Sequence, residues 1–104
     1  MKRALLLAAI AAIAAGAAAP AFADLALANS KNCMACHAVE RKVLGPSFKD
    51  VAAKYKDNKT AADMLATKII KGGSGVWGQV PMPANNQVNE ADAKKLATWV
   101  LGAK

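Results

Sequence analysis

The apolar positions of this chain fall on helical periods. Phe48, Val51, Ala52 and Tyr55 recur at i, i+3, i+4 and i+7, which places them on one face of a helix. Ser47 stands where that helix needs an N-cap. Thr60-Ala61-Ala62-Asp63 has the form of a capping box, Leu65 and Ile69 continue a third helix, and Gly72-Gly73 ends it. Asn89-Glu90-Ala91-Asp92 opens a fourth, whose inward face is Ala93, Leu96, Trp99, Val100 and Ala103. A shorter helical stretch runs from Leu25 to about Met34. No segment alternates as a half-buried strand does. The pattern therefore predicts an all-α domain of about four short helices. Gly72 to Val88 is the longest stretch without a period, and it holds Gly72, Gly73, Gly75, Gly78, Pro81 and Pro83. Aperiodic segments of this length in a small domain are functional or disordered, and Trp77, Val80 and Met82 argue against disorder.

The first residues follow a different rule. Met1-Lys2-Arg3 is basic, Leu5 to Ala19 is apolar apart from Gly16, and Pro20 then leads into Ala21-Phe22-Ala23. A basic start, an apolar middle and an A-x-A site predict a secretory signal peptide over residues 1–23, cleaved after Ala23. A retained anchor is the competing reading. The run is barely long enough to span a bilayer, is dominated by alanine, and ends at a proline and small residues. No cysteine stands at its end for lipid attachment. The remaining domain, 24–104, has 81 residues. A chain that short buries a modest core and leans on a metal, a disulfide or a cofactor.

Charge narrows the partners. Without Lys2 and Arg3, twelve basic residues face seven acidic ones, a formal +5. The lysines are scattered, and no arginine cluster interleaves with aromatics. Nucleic-acid binding is therefore not expected, least of all for an exported chain. A lysine-studded surface meeting an acidic protein partner fits better.

The chemistry lies in Cys33-Met34-Ala35-Cys36-His37, which contains both cysteines and the one histidine of the chain. A disulfide between Cys33 and Cys36 would close too small a loop to constrain much. A structural zinc site needs four ligands, and no second Cys/His pair exists to complete it. A thioredoxin-like dithiol needs a strand–helix context that this chain does not offer. Haem attachment remains. Two thiols three residues apart on a helical turn project from one face and reach two vinyl groups, and the next residue supplies an axial nitrogen. The other nitrogen of His37 then needs an acceptor. Gly45-Pro46 can turn the chain back beneath the ring and offer a carbonyl, although an ordinary turn before a helix reads equally well.

A six-coordinate iron needs a second axial ligand. Beyond the leader there are Met34, Met64 and Met82. Met34 lies between the cysteines, on the His37 side. Met64 reads as a core methionine within a helix. Met82 sits in Pro81-Met82-Pro83, where the prolines restrict the backbone and so aim the thioether. Met82 is the expected ligand, with lysine an alternative at alkaline pH. A thioether favours ferrous iron and closes the site, which leaves one-electron transfer as its chemistry.

Three segments, CMACHAVERKVLGPSFKDVAAKY, KIIKGGSGVWGQVPMP and NEADAKKLATWVLGAK, together resemble the small bacterial class I cytochromes c of the c-551/c-552 group. The resemblance covers nearly all of 24–104. It implies a class I cytochrome c fold in which the first and last helices cross around one covalently bound haem c. Cys33 and Cys36 would carry the thioethers, and His37 and Met82 would be the axial ligands. The Pro46 carbonyl would accept from His37, the Trp77 indole would bond a propionate, and Asn85 would lie near the methionine sulfur. Lys68 stands where some members have an arginine on a propionate. Ala84 replaces a common proline, and Asn85-Asn86-Gln87 makes the loop one residue longer than in the shortest members.

The expectation is a periplasmic, monomeric electron carrier without enzymatic activity or stable membrane insertion. It would shuttle electrons in a respiratory chain between partners such as a cytochrome complex and a terminal reductase or oxidase. Lys31, Lys42 and Lys71 would steer it to acidic docking surfaces. A haem enzyme or gas sensor would need an open or labile sixth position, and a haem-free dithiol or metal-binding domain would lack visible absorption.

Overall fold

The computed structural model describes residues 19–104, with side chains described from Ala23 onward. Its elements are α1 (Ala19–Ser30), a short 3-10 turn (Cys33–Ala35), α2 (Phe48–Tyr55), α3 (Ala61–Lys71) and α4 (Glu90–Leu101). The leader expected over 1–23 lies outside the described residues, apart from the helical backbone of 19–23. Among the described residues no strand forms, and the one extended pairing is an isolated bridge between Gly73 and Met82.

Two of the predicted helix starts are built as expected. The Ser47 hydroxyl accepts from the Asp50 N–H at 3.0 Å, and the Asn89 side chain accepts from the Asp92 N–H at 2.8 Å. The capping box at Thr60 does not form. Asn58 intercepts that side chain: Thr60 Oγ1 donates to Asn58 Oδ1 at 2.9 Å, and Asp63 pairs instead with Lys94 of α4 at 2.9 Å. The first helix also stops earlier than Met34. Asn32 takes a left-handed conformation (φ 65°), which ends α1 and restarts the chain as the cysteine turn.

The apolar faces meet around α4, which packs on α1, α2 and most extensively on α3. Ala28, Val88, Ala93 and Leu96 form one cluster, and Phe48, Val51 and Val100 form a second. Trp99 and Met34 touch both. Among the described residues, five of the ten buried hydrophobic ones are alanines, and Leu96 is the one large side chain fully removed from water. That is a thin core for a domain of this length. Met64, expected in the core, is instead 38% exposed on the outer side of α3.

Candidate functional site

Next to this core lies a cavity of about 490 Å³, within the size range of cofactor pockets. Its walls come from the cysteine turn, the segment before α2, one side of α2, α3 and α4, Ala28 of α1, and the loop 73–87. Cys33, Cys36, His37, Pro46, Lys68, Trp77, Met82 and Asn85 all line it. Residues expected to share one site from three distant stretches of sequence are thus brought together.

The histidine wall is built from short-range ties. The turn closes through Cys36 N–H to Cys33 O at 3.3 Å and His37 N–H to Cys33 O at 3.1 Å. The chain then loops back: Gly45 N–H donates to Cys36 O at 2.8 Å, and Phe48 N–H to Ala38 O at 3.0 Å. This return carries the Pro46 carbonyl to 2.8 Å from His37 Nδ1. A carbonyl only accepts, so Nδ1 carries the proton and Nε2 is left with the lone pair a metal would take. Gly45 lies flat against the same ring. A Cβ there would stand 2.5 Å from Cε1 and 2.8 Å from Nδ1, so the position has no room for a side chain. On its other contact the ring stacks on Phe48, centroids 5.0 Å apart, and Phe48 meets Trp99 edge-on at 5.4 Å.

No disulfide joins Cys33 to Cys36. Burial pushes the Cys33 thiol up from its ordinary pKa, so it stays protonated at neutral pH. A dithiol working in redox exchange needs the opposite shift. Met34, between them, turns away into the core clusters.

The methionine loop is held differently. Met82 N–H donates to Gly73 O at 2.7 Å, and Gly73 N–H to Met82 O at 3.0 Å. This pairing brings the loop onto the end of α3, where Gly72 (φ 72°) caps the helix. A Cβ at Gly72 would collide with the Met82 carbonyl oxygen. Lys68 of α3 runs along Gly73, where a Cβ would stand 2.6 Å from its Nζ. Trp77 stays 42% exposed, with the Lys54 ammonium 5.4 Å from its ring and 5.8 Å from that of Tyr55. Asn85 donates from its side-chain amide to Ile69 O at 2.8 Å and to Pro83 O at 3.3 Å.

Phe48, Trp99 and Gln87 line the cavity without having been foreseen there. Phe48 and Trp99 read as core by their spacing, and they are core on one side and cavity wall on the other. The Gly45-Pro46 turn was the available sign that the start of α2 returns to His37.

The model of the cytochrome c family matches residues 25–104. The chain belongs to the cytochrome c family. Cytochrome c-552 of Nitrosomonas europaea is 60% identical over 82 residues, 79% of this chain and 80% of that one. Cytochrome c-552 of Hydrogenobacter thermophilus is 52% identical over 104 residues, the full length of both. The crystal structure of the wild-type Nitrosomonas europaea cytochrome c552 superposes with a TM-score of 0.76 at 59% identity, covering 77% of this chain and 99% of that one. The fold is that of the class I cytochromes c, within the c-551/c-552 group, which carry one covalently attached haem c. The cavity fits that group. It offers two thiols on one turn, an imidazole with Nδ1 already bonded, a thioether on a separate loop, and a glycine where any side chain would displace the imidazole.

Proposed function

We propose that this cytochrome c is a monomeric one-electron carrier of the periplasm, with residues 1–23 as its cleaved leader. A bound haem supplies an iron that cycles between the ferric and ferrous states. The chain's own residues fix how that happens. The Cys33 and Cys36 thiols would hold the haem covalently, each S–H adding across one vinyl group so that the proton and the sulfur end on its two carbons. His37 offers Nε2, its ring locked by Pro46, Gly45 and Phe48. Met82 offers a thioether from the loop. Lys68 and Trp77 bring a cation and an indole N–H to the cavity wall for a propionate. Asn85 lines the same wall beside the Met82 loop.

The observation that carries this reading is that one cavity is lined by an imidazole with a single available nitrogen and by a thioether. With both in place no position is left for a substrate, which argues against an enzyme. Lys42 and Lys71 are exposed and add positive charge for an acidic partner, and the half-buried Lys31 donates to Gln87 O. No described helix is long and apolar enough to cross a membrane. The match to the family begins at residue 25, the second residue of the proposed mature chain.

The test is the absorption spectrum of ferric protein purified from an exporting host. The expected result is covalent haem with the weak far-red band of iron–methionine coordination, abolished by Met82→Ala. Covalent haem without that band at neutral pH would overturn the closed-site reading and favour an enzyme or sensor.

A further inference from the structure

Lys31 and Gln87 stand 56 positions apart and exchange two hydrogen bonds. The Lys31 ammonium donates to the Gln87 carbonyl oxygen at 3.1 Å. The Gln87 side-chain amide donates to the Lys31 carbonyl oxygen at 3.2 Å. Lys31 lies just past the end of α1, where its carbonyl has no donor within the helix. It also lies two residues ahead of Cys33, and Gln87 five residues beyond Met82. The pair therefore ties the cysteine turn to the methionine loop.

The connection continues beyond Gln87. Its amide also reaches Asn85 Oδ1 at 3.2 Å. Asn85 in turn donates to Pro83 O and Ile69 O from its side chain, and to Ile69 O and Ile70 O from its main chain at 3.2 and 3.1 Å. A continuous run of hydrogen bonds thus links the residue before Asn32 to the residue after Met82 and to the last turn of α3. The rest of the loop has little packing of its own. Val76 and Val80 are exposed, and Gly75 and Gly78 face open space. The upstream end is pinned by the Gly73–Met82 pairing, and the downstream end by Gln87.

We infer that Gln87 is a positioning residue, which holds the Met82 loop closed by clasping the backbone ahead of Cys33. The inference rests on Met82 being an axial ligand. Opening the loop breaks the clasp, so the clasp sets how readily Met82 gives way to an outside ligand.

Ferric holoprotein is titrated with imidazole, and displacement of Met82 is followed by loss of the far-red band. Gln87→Ala binds imidazole about fivefold more tightly, the factor of roughly one hydrogen bond. Lys31→Met gives a smaller gain. The double variant exceeds Gln87→Ala by no more than about twofold, because both changes act on one clasp. Amide exchange at Met82 and Asn85 accelerates in Gln87→Ala, while exchange at Val51 and Leu96 stays as in the parent. An unchanged imidazole affinity, or exchange that rises equally in α2 and α4, overturns the proposal. A parent protein with no far-red band removes the Met82 reading, and the clasp with it.

Discussion

The His37 and Met82 parts of the cavity are held by different physics. His37 is confined by packing: a glycine with no room for a Cβ, a stacked Phe48 braced by Trp99, and a carbonyl nine positions along the chain. Met82 is confined by hydrogen bonds, several of them exposed, in a loop where Val76, Trp77 and Val80 are exposed. A close-packed contact is lost only when the core gives way. An exposed hydrogen bond competes with water and contributes about 1 kcal/mol. The two parts should therefore fail in sequence, the methionine loop at a lower perturbation than the histidine wall.

The largest effect comes from removing what joins the two parts. In Cys33→Ala with Cys36→Ala no thioether can form, and a core half made of alanine is left around the empty space. Helix content by far-ultraviolet circular dichroism should fall by more than about half, and native helix content would show that the frame stands alone. Next is Phe48→Ala, which takes the support from His37 and from the second core cluster. It should cost about 3 kcal/mol in denaturant unfolding, with the far-red band surviving until the whole protein unfolds.

Gly72→Ala acts on the other part. It combines a left-handed backbone with a Cβ against the Met82 carbonyl. A cost of about 2 kcal/mol is expected, and in a thermal scan the far-red band should vanish before the helical signal does. Coincident loss would erase the distinction between the two parts. The smallest effect is Lys54→Met. Losing the cation beside Trp77 should cost about 0.5 kcal/mol and alter Trp77 fluorescence in the native state.

The same contrast governs what could be read in advance. α2, α3 and α4 were legible because burial on one face imposes a helical period, and Val51, Leu96 and Val100 follow it. Ser47 and Asn89 were legible because a cap is a local bond. Thr60 was misread because the competing acceptor, Asn58, lies outside the capping pattern. Met64 was misread because an apolar residue within a helix says nothing of which face it takes when the helix is only half covered. Cys33, Cys36, His37 and Met82 stood out as residue types, and all four line one cavity. The partnership of Lys31 with Gln87 left no trace in the sequence. It joins distant segments through two backbone carbonyls, and every residue has one of those.

The bond from His37 to Pro46 is made to a main-chain oxygen. A change of side chain at position 46 leaves that atom in place, whereas one codon gained or lost between 38 and 45 would move it out of register with the ring. What is inherited here is a length of chain more than an amino acid. Along this stretch, substitutions at exposed positions such as Arg41 and Lys42 leave the bond untouched, while an insertion or deletion displaces it.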